Sequence, residues 1–249
     1  MTASLALRLA GPLQSWGQTG RHFRRDTAQQ PTKSGVVGLL AAADGRRRYD
    51  PIEDLAGLVI AVRVDQAGTL LRDYHTVSDY RGINMPAASG SRPKQARTKV
   101  STRFYLTDAV FVVAIHGDTS LLEHLAHAVT APHWPLALGR RSCPPTLPLR
   151  LNTPSGGALW DGDHLATAAA VPWQAADHHR RITPGKTVSL PVTADDPQGE
   201  DLNDDQPVSY DPGRRVYATR PVTHRWVTIA TGNIDGKANS HDPLSLLGW

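Results

Sequence analysis

Leu5, Leu7 and Leu9 alternate with Ala6 and Arg8, the period-two pattern of a half-buried strand, and Gly11-Pro12 ends it. A polar, arginine-rich loop runs from there to about Pro31. "PTKSGVVGLLAAAD" then predicts a helix: Thr32 or Ser34 can cap it, and Val36, Val37, Leu39 and Leu40 form its apolar face. Gly35 and Gly38 weaken that helix by up to about 1 kcal/mol each relative to alanine, so they mark close packing or close ligand approach. Leu58, Ile60, Val62 and Val64 predict a second strand, with "TLLRDYHTV" after Ala67-Gly68 as its hairpin partner. "DAVFVVAIHG" is the most apolar strand, suited to the centre of a sheet. "TSLLEHLAHAVTAP" predicts a helix with the stripe Leu121, Leu125, Ala128 and Val129, capped by Thr119 or Ser120 and stopped by Pro132.

Strand, helix, two strands and helix make most of a βαββαβ pattern, so the expected class is α+β, ferredoxin-like or RRM-like, over residues 1–150. Between Val77 and Ala109 about thirty residues intervene, too many for an ordinary connection. The ends of this insertion, "RDYHTV" and "TKVSTRFYL", are β-branched and aromatic enough to pair. They predict a β-ribbon arm over about residues 74–105 with a flexible tip near "AASGSRP". Residues 151–249 form a smaller, mainly β C-terminal region in which "TVSLPV" and "HRWVTIA" read as strands; "WDGDHLATAAAVPWQAADHHRRITPG" shows no clear element. No linker cuts the chain cleanly in two.

Charge changes the picture more by placement than by sum. The net charge is +4 over 249 residues. Arg21 to Arg48 hold seven basic residues against Asp26 and Asp44, and Tyr74 to Arg103 hold six against Asp79. "DDPQGEDLNDD", residues 195–205, has six acids and no base and reads as a solvated loop. The basic first half favours a polyanionic partner. One cysteine, Cys143, excludes a disulfide framework within the chain and suits a reducing compartment. No stretch approaches the roughly 20 apolar residues of a membrane span, and the expectation is a cytoplasmic protein.

Catalytic motifs are missing: there is no G-x-S-x-G, H-E-x-x-H, Walker loop or G-x-G-x-x-G, and Cys143 lies among prolines. His124 with His127, and His178 with His179, lack the partners of a zinc site and read as solvated or packed. His75 with Tyr74 or Lys99 has the residue types of a metal-independent ribonuclease. "QSWGQ" offers Gln14 and Ser15 for hydrogen bonds, Trp16 for stacking and Gly17 for close approach, the means by which single-stranded RNA is read; Trp16 as a core aromatic is an equal alternative. "TKSG" suits a phosphate at a helix N-terminus or a simple capped helix, and Arg140-Arg141 suits phosphates and bases or a bare surface pair.

Together "LRLAGPLQSWGQ", "PTKSGVVGLLAAA", "RDYHTV…DYRG", "YLTDAVFVVAI" and "LGRRSCPPTLPL" resemble the type I-E members of the Cas five family in the RAMP superfamily, in register over about residues 4–150. Later, only "ATRPVTHRWVTI" is similar. The resemblance implies an RRM-like domain with an arm, the thumb, that binds the repeat-derived 5′ handle of a CRISPR RNA in the Cascade surveillance complex. It implies as partners the crRNA, the backbone subunit CasC, the large subunit CasA and, through the complex, target DNA, in antiviral defence. It implies no cofactor, no metal and no catalytic residue, since type I-E systems cut their RNA with CasE; the related type I-C protein cleaves its own, which keeps a repeat-processing endoribonuclease as the alternative. The handle contacts fall on Gln14, Ser15, Trp16 and Gly17, on Lys33 and Ser34, on Tyr74, His75, Tyr80 and Arg81, and on Arg140 and Arg141, with Arg24 and Arg103 from the basic stretches. Two segments depart from the family: the arm tip is longer and more basic, and "DDPQGEDLNDD" looks like an insertion.

Overall fold

The computed structural model describes residues 2–17, 23–78 and 98–233. In chain order its elements are β1 (Ala3–Ala10), β2 (Leu13–Gln14), β3 (Trp16–Gly17), β4 (Arg24–Arg25), β5 (Thr27–Ala28), α1 (Lys33–Ala43), α2 (Glu53–Ala56), β6 (Val59–Gln66), β7 (Thr69–Ser78), β8 (Thr98–Thr107), β9 (Val110–His116) and α3 (Thr119–Ala128). There follow β10 (Leu159–Asp161), α4 (His164–Ala170), α5 (Asp177–Ile182), β11 (Thr187–Asp195), β12 (Asp201–Ser209) and β13 (Val216–Ala230). The fold is mixed α/β and mostly sheet.

One seven-stranded sheet, in the order β10-β1-β9-β6-β11-β13-β12, carries the molecule. Every pairing in it is antiparallel, with Leu7 opposite Val113 and Val113 opposite Val62. The four strands β10, β1, β9 and β6 are connected through α1 and α3. The strands of the C-terminal region do not stack as another layer; β10 joins β1, and β11 continues the sheet from β6.

The main core lies between α1, α3 and one sheet face: Leu5, Leu7, Leu9, Ile60, Val62, Phe111, Val113 and Ile115 meet Val36, Val37, Leu40, Leu122 and Leu125. The opposite face is covered too. Ala6 and Val112 pack on Trp160 and Val171, and Ala61 and Ala114 pack on Ala168 of α4. β1 is therefore buried on both sides rather than half-buried. Arg8 escapes the apolar pattern by lying at the margin of the second cover.

Asp118 caps α3 by accepting from Leu121 N–H, one residue before the expected caps, and the helix ends at Ala128, ahead of Pro132. Thr32 caps α1 by accepting from Gly35 N–H at 3.1 Å. Gly35 itself is required by packing: a Cβ there would stand 2.7 Å from Trp16 Cε3.

β7 is not the hairpin partner of β6. Both edges of β6 are taken, by β9 and β11, so the turn at Ala67-Gly68 sends the chain out of the sheet, and β7 pairs instead with β8 from Thr69↔Thr107 to Ser78↔Thr98. That turn needs glycine: Gly68 has φ +70°, and a Cβ would lie 2.3 Å from the Thr107 carbonyl oxygen. The ribbon's tip lies outside the described residues. On the other edge of β8 the segment after β1 adds β2, and then β4 in parallel.

The acidic run 195–205 is a loop only at residues 196–200; its two ends belong to strands. Asp195 ends β11, Asp205 sits in β12, and Arg220 of β13 is held between them, its Nε donating to Asp205 Oδ1 at 2.6 Å and its Nη1 to Asp195. Burial lowers the Arg220 pKa, but the two carboxylates more than offset it and leave it above the ordinary guanidinium value.

Candidate nucleic-acid interface

The segment after β1 reads in the sequence as a loop in which Trp16 is either a stacking surface or a core aromatic. In the fold it is pinned along β8, because β2 extends the ribbon's edge. Gln14 is fully buried, its amide donating to the carbonyls of Leu9 at 3.0 Å and Ala109 at 2.7 Å, and its Oε1 accepts from Trp16 Nε1–H at 3.1 Å. Trp16 is 0 % exposed and packs on Gly35, so its ring faces the core and offers no stacking plane. Ser15 is buried and donates to the Phe104 carbonyl. Of "QSWG", only Gly17 is exposed.

The helix start is also occupied from within. Lys33 N–H donates to Asp205 Oδ2 at 2.6 Å, and Lys33 Nζ pairs with Asp195 at 2.9 Å in a buried site. The anion at this helix N-terminus is the chain's own carboxylate, 172 residues along, which displaces the phosphate reading. Half-buried Ser34 lies 3.3 Å from Thr32 Oγ1, and its carbonyl accepts from Tyr210 O–H. Arg140 likewise clamps backbone: it donates to the carbonyls of Phe104, Arg25 and Asp26 at 2.7–3.3 Å and lies over the Tyr105 ring. Burial raises the Tyr105 pKa, but contacts with Ser142, Arg140 and Arg103 outweigh it and bring the phenol below its usual range. Arg141 is exposed and makes no ion pair among the described residues.

The ribbon is where basic and aromatic side chains reach solvent. Cross-strand partners share a face. Arg72 stands opposite Phe104 and Tyr74 opposite Thr102, and Arg24 of β4 pairs with Thr102 from the other side. One face thus presents Arg24, Arg72, Tyr74 and Phe104, with Tyr74 69 % exposed and the Arg24 guanidinium 5.1 Å over the Phe104 ring. Arg24 also bonds Asp26 at 2.9 Å on the surface. The other face carries Asp73 opposite Arg103 and His75 opposite Ser101. Arg103 donates from Nε to Ser101 Oγ at 3.2 Å. Tyr80 and Arg81 lie outside the described residues.

Exposed Arg72, half-buried Phe104 and exposed Phe23, just before β4, are groups that residue-type reasoning missed. The alternation in "RDYHTV" contains the signal for Arg72, because residues two apart on a strand share a face with Tyr74. Phe104 needed the register. The same alternation separates Tyr74 from His75, so those two cannot converge on one substrate atom; His75 Nδ1 instead stands 3.5 Å from an Asp73 carboxylate oxygen. Among the described residues no group of three or more His, Cys, Asp or Glu could hold a metal ion, and no helix is long and apolar enough to cross a membrane. Cys143 is fully buried, and burial pushes its thiol up, away from nucleophilic use.

Residues 4–223 of this sheet-centred α/β fold, with its basic, aromatic ribbon, match the family described as CRISPR-associated protein (Cas5), and the chain is a member of it. Within that family it is similar to the CRISPR system Cascade subunit CasD of Escherichia coli, 41 % identical over an alignment of 172 positions, with 61 % of this chain and 72 % of the relative covered. Among solved structures it resembles a chain of a CRISPR RNA-guided surveillance complex, at 34 % identity and a TM-score of 0.73 over 91 % of both chains. A second match, described as the crystal structure of a Cas protein, has 35 % identity and a TM-score of 0.66, covering 90 % of this chain and 94 % of the other.

Proposed function

We propose that the chain is a non-catalytic RNA-binding subunit of a type I-E CRISPR surveillance complex, gripping and capping the repeat-derived 5′ handle of the crRNA and nucleating assembly. The carrying observation is the ribbon face of Arg24, Arg72, Tyr74 and Phe104 in a member of the Cas5 family. Exposed aromatic rings stack unpaired bases, and guanidinium forks take phosphates between them. The strand order β10-β1-β9-β6 with α1 and α3 on one face supports a ferredoxin-like, RAMP-type reading, and the ribbon is then the family's thumb. The name of the Escherichia coli relative supports Cascade membership, with CasC and CasA as neighbours and target DNA met through the complex, in a cytoplasmic antiviral role.

Of the fourteen positions first assigned to RNA, this reading keeps Gly17, Arg24, Tyr74, His75, Tyr80, Arg81, Arg103 and Arg141, gives Gln14, Ser15, Trp16, Lys33, Ser34 and Arg140 to the scaffold, and adds Arg72 and Phe104. The test is fluorescence anisotropy with handle-bearing RNA in EDTA, followed by gel analysis of the RNA. Loss of one stacked base and one phosphate contact predicts that Tyr74→Ala with Arg72→Gln weakens binding by about tenfold or more, with steep salt dependence for the parent and the RNA recovered intact. Unchanged affinity in the double variant overturns the ribbon face as the contact. Specific cleavage products that vanish in His75→Ala overturn the non-catalytic role in favour of the endoribonuclease.

A further inference from the structure

Arg8 alternates with Leu7 and Leu9, so it projects from the sheet face opposite α1 and α3. It forms a row with Val112 of β9 and Arg63 of β6. Arg63 is fully matched: its Nε and Nη2 donate to the two oxygens of Asp65 at 2.7 and 2.9 Å, and the carbonyls of Ala168, Val171 and Pro172 take the rest. Arg8 is not. Its Nη1 reaches the side-chain oxygen of Gln174 at 3.2 Å, its Nη2 reaches the Pro148 carbonyl at 3.4 Å, and its buried Nε–H has no partner among the described residues. This face holds two guanidiniums against one carboxylate. Partial burial pulls the Arg8 pKa below its ordinary value, the mark of a cation without a counter-ion.

The Arg8 side chain borders a cleft of about 390 Å³ lined by Leu147, Pro172, Trp173, Gln174, Ala175 and Ala176, with Asp177 also on its wall. Arg180 stands on its rim, bonded to Asp177 at 2.5 Å. The volume falls within the range of about 300–1,000 Å³ typical of small-molecule sites.

We propose that this cleft binds a small ligand with an oxyanion head, carboxylate or phosphate, on an apolar body, Arg8 holding the head through Nη2, whose contact with the Pro148 carbonyl is long and exposed. A guanidinium N–H gives an oxyanion a charge-assisted hydrogen bond, Arg180 adds a weaker attraction because Asp177 already pairs with it, and the proline, leucine and alanine side chains cover the body. The site is independent of the ribbon and of any RNA role.

The experiment is an amide and indole NMR titration of the full chain with phenyl phosphate, phenylacetate and, as the uncharged control, benzyl alcohol. Saturable shifts are expected at the Trp173 indole and the Ala175 and Ala176 amides. Arg8→Gln should weaken binding about tenfold or more, the loss of a charge-assisted contact, Arg180→Gln should weaken it less, and Arg48→Gln, an exposed arginine away from the cleft, should leave it unchanged. The tighter of the two anions tells which head group the cleft takes. Equal affinity for benzyl alcohol and the anions, no saturable shift, or full binding by Arg8→Gln each overturns the proposal. Should Arg8→Gln fail to fold, the anion-to-alcohol comparison and Arg180→Gln decide the matter in the same way.

Discussion

Replacing Trp16 by alanine separates the two roles its residue type allows. The ring is fully buried among the main core, touches the Gly35 backbone and donates from Nε1 to Gln14. A tryptophan buries up to about 250 Å², which at about 25 cal/mol per Å² is an upper bound of about 6 kcal/mol. Large-to-small core substitutions of this kind cost about 3–5 kcal/mol, and the Gln14 oxygen left without its donor adds about 1 kcal/mol. A loss near 4–5 kcal/mol is expected, a large share of the roughly 5–15 kcal/mol that holds a typical domain. For a chain of this size the melting temperature should drop by roughly 10–15 °C. The assay is urea unfolding of the parent, Trp16→Ala and Trp16→Phe, with handle-RNA affinity read at low temperature where the variants are folded. Trp16→Phe should recover more than half the loss, and affinity should stay within about twofold. A Trp16→Ala protein that unfolds within about 1 kcal/mol of the parent yet loses RNA binding tenfold would refute the buried-ring argument.

The buried ion pairs and the acid limb supply the other predictions. Arg220→Met leaves Asp205 without its cation and Asp195 with Lys33 alone and should cost about 3–5 kcal/mol in urea unfolding, with Asp205→Asn added to it restoring part; an unaltered midpoint would show the cluster to be incidental. Burial tends to raise the Asp44 pKa, but His124 and Arg46 outweigh it, and Arg46 chiefly lowers that of Asp54, so both sit below the usual carboxylate range. Depressed carboxylates contribute stability that is complete above an unfolded value of about 4 and is lost as pH falls through the folded value. The melting temperature should therefore fall below about pH 4, and Asp44→Asn should flatten that limb; a parent with no such limb, or a variant with the same slope, counts against it.

The elements that could be read from the chain were those whose burial pattern repeats locally. β1, β9, α1 and α3 each bury a run of apolar residues against a continuous partner, and alternation or helical spacing records that. α4 was missed because "HLATAAA" buries only Thr167 and Ala168, which leave no stripe. β7 was assigned to the wrong neighbour because turn residues announce a reversal but not which strand edges are already taken. The candidate site suffered from a different ambiguity. Tryptophan, glutamine, lysine and arginine serve RNA and scaffold alike, and only contacts across 95 to 172 residues, Gln14 with Ala109 and Lys33 with Asp205, reveal that these particular ones are spent internally. The acidic run misled for the same reason: its bases lie on α1 and β13.

The continuity of the sheet across residue 150 has a consequence in time. The trio β1, β9 and β6 is complete once residue 116 has been made, yet β1 waits for Leu159–Asp161 and β6 for Thr187–Asp195 to cover its outer rim. During synthesis the nascent chain therefore presents two open, strongly apolar strand margins, the kind that recruit stray strands from other molecules. Such a chain gains by being shielded until its last third arrives, and a protein truncated near residue 150 would carry that sticky intermediate permanently.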